Sequence, residues 1–209
     1  MKYPILLFDF DGTLYDTSKT IASVVGKTRK RFDLPELGFD YIISNVGKGV
    51  ENLINNCFGD CDKDTQEVYE LFTGTYLLDD SSETFLEPGL EAFLENDTRI
   101  KIIVSNKSEV LIKKTLSIKN TSKYFTHVIG GDTFDFKKPD PRLLDELKKI
   151  HPEGNKNFLM IGDDLPDIKF AQNAGINFVY CNFGFRGDKY KANHDSIDSY
   201  QDLTNFLNK

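Results

Sequence analysis

The chain has 209 residues, enough for one domain or for a core with a smaller insertion. Hydrophobic residues make up 39% and charged residues 28%, the balance of a globular protein, which excludes wholesale disorder. A net charge of −7 argues against nucleic acid or an anionic membrane as partner, so an anionic substrate needs locally placed basic groups.

Met1-Lys2-Tyr3-Pro4 runs straight into an apolar segment, so no signal peptide is expected, and no apolar stretch reaches bilayer length. Cys57, Cys61 and Cys181 are few and odd in number, which suits a reducing cytoplasm. Cys57 and Cys61 are expected to share a helix face, but no second pair or neighbouring histidine completes a zinc site. They read as small hydrophobes.

The first element is Ile5-Leu6-Leu7-Phe8, a short apolar run suited to a strand buried on both faces. It delivers Asp9-Phe10-Asp11-Gly12-Thr13. Side chains two apart on a strand point the same way, so Asp9 and Asp11 are expected to converge just beyond the sheet, where open α/β folds bind ligands. Like charges that close repel by about 4 kcal/mol at an effective dielectric near 20. Either a divalent cation such as Mg2+ or a shared proton offsets this. On this fragment alone, an acidic turn explains the residues equally well.

Beyond Thr17 the period becomes helical. Ile21, Val24, Val25, Thr28 and Phe32 line one face, and Pro35 and Gly38 end the run. Further helical segments follow at about 39–46, 49–58 and 63–78, with no strand between them. This pattern predicts an inserted helical bundle. Pro88-Gly89 opens a short helix. Strands are then predicted at Ile100–Val104, Val128-Ile129, Phe158–Ile161 and Phe178–Cys181, with helices at about 109–118, 142–150 and 167–173 between them. Asp140-Pro141 supplies an N-cap and first-turn proline, and Gly175 ends the last helix. The alternation predicts an α/β fold, a Rossmann-like parallel sheet flanked by helices, with an all-helical insertion.

Each predicted strand ends in polar residues. Ile100–Val104 leads to Ser105-Asn106-Lys107, where a hydroxyl, an amide and nearby backbone N–H groups make a neutral cradle for phosphate oxygens or else routine turn chemistry. Lys137-Lys138-Pro139 follows the next strand, and the proline biases Lys138 toward extended backbone, which helps aim its ammonium into the crevice. Phe158–Ile161 runs into Gly162-Asp163-Asp164-Leu165-Pro166-Asp167. Two acidic clusters at the ends of two buried strands point to a bound cation, with Asp163 as a ligand and Asp164 or Asp167 as a ligand or a helix cap.

Together these stretches resemble the haloacid dehalogenase superfamily of phosphotransferases. All four motifs stand in order as Asp9-Phe10-Asp11-Gly12-Thr13, Ser105-Asn106, Lys138-Pro139, and Gly162-Asp163 with Asp167. Val104-Ser105-Asn106-Lys107, Lys138-Pro139-Asp140-Pro141 and Ala174-Gly175-Ile176 look most like its phosphoglycolate phosphatase branch. The resemblance implies a catalytic core at 1–15 and 86–209 with a helical cap at 16–85. It implies Asp9 as nucleophile, Asp11 as acid–base with a raised pKa, and Lys138 as charge neutraliser. Ser105 and Asn106 are then expected to hold phosphoryl oxygens, and Thr13 to bond near Asp9. The implied Mg2+ site comprises Asp9, Asp11 through its carbonyl, Asp163, and Asp167 or Asp164.

Asp11 argues against the dehalogenases and phosphonate hydrolases of this superfamily, which lack the second aspartate. Ile21, where mutases with this cap type carry histidine, argues against a mutase. Within the cap, Asn45-Val46-Gly47-Lys48-Gly49 is expected to reach inward, with Lys48 meeting a carboxylate or second phosphate. Phe183-Gly184-Phe185-Arg186-Gly187 either borders the site or lies at the surface. His127, His151 and His194 fall in no motif. The expected activity is a cytoplasmic Mg2+-dependent phosphatase for a small phosphorylated metabolite, working as a monomer or homodimer. Pyrophosphate, nucleotide and sugar-phosphate hydrolysis are the rival chemistries, and a non-catalytic phosphate-binding module is the rival from another class.

Overall fold

The computed structural model describes residues 2–152 and 157–209. Strand β1 is Ile5–Phe8, with all four side chains buried. Leu6 and Phe8 pack into one hydrophobic cluster and Ile5 and Leu7 into another. That division is what period-two alternation gives a strand covered on both faces.

The elements that follow are β2 (Tyr15–Asp16), α1 (Ser18–Arg31), α2 (Phe39–Ser44), α3 (Val50–Cys57), α4 (Thr65–Leu78), β3 (Phe85–Leu86) and α5 (Leu90–Asn96). Next come β4 (Ile100–Val104), α6 (Glu109–Ile118), β5 (His127–Ile129), α7 (Arg142–Ile150), β6 (Phe158–Gly162), α8 (Leu165–Ala174), β7 (Asn177–Cys181), β8 (Ser196–Ile197) and α9 (Tyr200–Leu207). The main sheet runs β5-β4-β1-β6-β7-β8, and every pairing is parallel. Chain order reverses between β1 and β6, so the crevice beyond their carboxyl ends is the topological switch point. Helices α5, α6 and α9 cover one face, and α7 and α8 the other.

Helices α1–α4 share a separate core that includes Val24, Val25, Ile54, Phe72 and Tyr76, and Leu111 of α6 joins it from the sheet side. Arg29 is buried within this unit. Its guanidinium donates to the Pro35 carbonyl at 2.6 Å, to Asp60 at 2.9 and 2.6 Å, and to the Cys57 carbonyl. The two chain passages that join this unit to the sheet are zipped together, with Tyr15 opposite Leu86 and Asp16 opposite Phe85.

The predicted sheet strands and most helices lie where periodicity places them, and several details differ. Helix α8 starts at Leu165 rather than Asp167, because Asp164 caps it. Asp140 does not cap α7: Pro141 holds the cap position, and Asp140 closes an Asx turn by accepting the Arg142 N–H at 2.9 Å. Cys61 lies beyond the end of α3, so it shares no helix face with Cys57. Strands β2, β3 and β8, with two residues each, and helix α9 are additions to the sequence reading. Among the described residues, no helix is long and apolar enough to cross a membrane.

Glu87, just after β3, is buried, and burial together with Asp16 raises its pKa from the ordinary 4.5 to about 7. Between those values the folded state holds a proton that the unfolded chain has lost, so stability falls as pH rises through the window. Above it, Glu87 destabilises by about 1–2 kcal/mol after solvent screening. Glu87→Gln is therefore expected to raise the melting temperature at pH 8 by about 3–6 °C and to leave it unchanged at pH 4. Equal shifts at both pH values in a thermal melt would refute this.

Candidate active site

Asp9 follows β1 directly, and its backbone N–H continues the sheet ladder by donating to the Ile161 carbonyl at 2.9 Å. This register places Asp9 beside the end of β6, where Asp163 and Asp167 stand. Oxygens of Asp9, Asp163 and Asp167 lie within 4.8 Å of one another, and all three residues are buried. Into this group reaches Lys138, whose side chain is 2% exposed. Its Nζ donates to Asp9 Oδ1 at 2.8 Å and to Asp167 Oδ1 at 2.6 Å. Burial opposes the lysine's charge, but Asp167 and Asp9 outweigh it and push the pKa up.

Asp163 carries the opposite stress. Burial, then the charges of Asp9, Asp167 and Asp164, drive its pKa well above the carboxylate range. It accepts from Thr13 Oγ1 at 3.3 Å and from the Phe185 N–H at 2.7 Å. Thr13 thus braces Asp163 rather than Asp9. Gly12 sits at φ +80°, and a Cβ there would stand 2.6 Å from Asp163 Oδ2, so the first motif's glycine serves both the turn and the approach of that carboxylate. Burial raises the pKa of Asp167 against the pull of Lys138.

Asp164 stands apart from the cluster. Its Oδ1 caps α8 through the Leu165 N–H at 2.7 Å, and Asp167 Oδ2 returns the bond by accepting the Asp164 N–H at 3.1 Å. Its Oδ2 accepts from Arg186 Nη2 at 2.8 Å. That arginine also donates to the carbonyls of Ile43 at 3.1 Å and Val46 at 2.6 Å, tying the loop after β7 to the end of α2. Arg186 is therefore part of the junction, not a surface residue.

Asp11 turns away from Asp9's cluster. Its carboxylate accepts from Thr17 Oγ1 at 2.6 Å and from Lys107 Nζ at 2.9 and 3.2 Å. Ser105 and Asn106, both buried, follow directly after β4 and line the same cleft as Asp11. Asn106 Nδ2 donates at 3.1 Å to the carbonyls of Gly47 and Lys138, joining the helical unit to the motif lysine. Its Oδ1 is buried and has no hydrogen-bond partner among the described residues.

A cleft of about 50 Å3 opens over Asp9 and Asp11, floored by Ser105 and Asn106 and roofed by Val46, Gly47, Gly49 and Val50. Lys48 is exposed and does not line it. Gly47 and Gly49, at φ +97° and +100°, turn the loop so that they face the cleft themselves and the lysine between them faces away. The interior cation is Lys107, which sequence reasoning quoted without assigning it a role. Its place directly after Ser-Asn at a strand end was the available signal.

The model of the haloacid dehalogenase-like hydrolase family matches residues 6–181. The chain is 36% identical over 187 residues to a phosphoglycolate phosphatase of Aquifex aeolicus, covering 87% of this chain and 85% of that one. It is 31% identical over 204 residues to a phosphoglycolate phosphatase of Photobacterium profundum, covering 92% and 89%. The crystal structure of a predicted phosphoglycolate phosphatase from Haemophilus somnus shares the fold at a TM-score of 0.90 and 20% identity, covering 99% of each chain. A buried carboxylate cluster at the switch point and a family match across most of the chain agree: this protein belongs to the haloacid dehalogenase-like hydrolases.

Proposed function

We propose that the protein is a Mg2+-dependent phosphatase that hydrolyses a small phosphomonoester, phosphoglycolate or a close analogue, through an aspartyl-phosphate on Asp9. The observation that carries this reading is the cluster of Asp9, Asp163 and Asp167 held by Lys138. Among the described residues, Asp9, Asp11 and Asp167 accept hydrogen bonds from two ammonium groups, Lys107 and Lys138, and the crowding of carboxylates that raises the pKa of Asp163 and Asp167 is what one divalent ion would offset. A hard, all-oxygen donor set suits Mg2+. Asp9, Asp163 and Asp167 would hold it, joined by the Asp11 carbonyl, with Asp164 supporting from the cap of α8. When bound, the ion supplies charge that lets an anionic ester approach an anionic nucleophile.

The residues of this chain do the rest. Asp9 is fixed in rotation by Lys138, and as a carboxylate it needs no activating base. One of its oxygens bonds to phosphorus as the ester P–O bond breaks. Asp11 gives a proton to the departing alkoxide. It then takes one from water, whose oxygen attacks phosphorus and breaks the bond to Asp9, releasing phosphate. Lys138 offsets charge on the transferring group, and Ser105 and Asn106 orient its oxygens. Residues 16–85 act as the cap that excludes water. The small cleft supports a leaving group of a few atoms, with sugars and nucleosides excluded while the roof stays in place.

Phosphate release from a panel of phosphorylated metabolites tests the reading. Mg2+-dependent release is expected from 2-phosphoglycolate, abolished by chelation and restored by added Mg2+. No release from any phosphomonoester, or release indifferent to chelation, would overturn it.

A further inference from the structure

Among the described residues, Lys107 is the cation that lines the cleft. Its side chain is 7% exposed, and its Nζ lies 2.9 Å from Asp11. Two aromatic rings back the ammonium, Tyr76 at 4.5 Å and Phe10 at 5.8 Å from their centroids. These faces favour the cation independently of Asp11. The ammonium can therefore keep its place while exchanging a carboxylate partner. The other cations near the cleft are committed elsewhere. Lys138 bonds Asp9 and Asp167, Arg186 bonds Asp164 and two carbonyls, and Lys137 pairs with Glu51 on the outside. Much of the remaining lining is apolar, contributed by Ile21, Val50, Leu53 and Phe72. A negative group entering here without a partner would be strongly disfavoured.

We propose that Lys107 is the specificity-determining residue, pairing with a carboxylate carried by the leaving alcohol of the substrate. This rests on the phosphatase reading above. The geometry also sets the length of the substrate. Asp11 must reach the ester oxygen and is in direct contact with Lys107, so the carboxylate sits one or two carbons from that oxygen. A leaving group of that length fits the cleft. Lys48, outside it, takes no part.

The test compares 2-phosphoglycolate with ethyl phosphate, which matches it in length and lacks the carboxylate, using the full chain with Mg2+. The wild type is expected to favour 2-phosphoglycolate in kcat/KM by about 10- to 100-fold, as expected for a buried charged hydrogen bond. In Lys107→Met this preference should collapse to within about threefold of unity, mainly through KM, and Lys107→Arg should restore part of it. Glycolate should inhibit the wild type competitively where ethylene glycol does not, a measurement independent of whether the methionine variant folds. A preference retained in Lys107→Met, equal rates on both esters in the wild type, or no inhibition by glycolate overturns the assignment to Lys107. Release of phosphate from neither ester by the wild type also overturns the assignment, and release from no phosphomonoester at all overturns the phosphatase reading itself.

Discussion

On the proposed mechanism, Asp9→Asn is expected to lower kcat by at least about 10^4-fold, because an amide in that position would not form the phosphorylated intermediate. The substitution is nearly isosteric. The backbone bond from Asp9 to Ile161 does not involve the side chain, so the fold is expected to persist. Acid-quenched wild-type enzyme under turnover should show a peptide containing Asp9 heavier by one phosphoryl group, and the variant should not. Activity within tenfold of wild type in the asparagine variant would show that a group other than Asp9 attacks phosphorus.

Lys138→Met should produce the next largest effect, in both activity and stability. The ammonium is the sole basic group bonded to the cluster of Asp9, Asp163 and Asp167 among the described residues. Its loss should lower kcat by about 10^2- to 10^4-fold through lost charge stabilisation. Removing one partner from a buried pair leaves the other uncompensated, at a cost of about 3–5 kcal/mol. The cost should appear in full when divalent cations are chelated and shrink when Mg2+ is supplied, since the cation takes over the neutralisation. Melting curves with chelator and with Mg2+ check this. Equal destabilisation in the two conditions would separate Lys138 from any cation site.

The strands were legible in the sequence where burial on both faces leaves no polar side chain to confuse the period, as in Ile5–Phe8 and Phe158–Gly162. Two-residue pairings such as Tyr15–Asp16 with Phe85–Leu86 carry no period, and long-range partners alone define them. The convergence of Asp9 with Asp163 follows from strand order, so motifs at the ends of β1 and β6 sufficed to anticipate it. Which of Asp164 and Asp167 joins them depends on the first turn of α8. There the capping bond takes Asp164 away, and three residues of helix carry Asp167 inward. Lys48 and Lys107 looked alike as lysines beside loop residues. Glycine dihedrals turned one outward, and aromatic faces over the other keep it inside, features that a one-dimensional pattern does not encode.

The central position of β1 has a bearing on how the molecule is made. Ile5–Phe8 is translated before both of its neighbours, Ile100–Val104 and Phe158–Gly162. Until the ribosome has passed Gly162, this greasy tetrapeptide has at most one flank covered, and pairing so remote in sequence is slow and exposed to aggregation. The helical unit, whose four helices all lie between Ser18 and Leu78, can collapse well before then. Nascent chains halted between residues 105 and 157 should accordingly be the ones that chaperones hold longest.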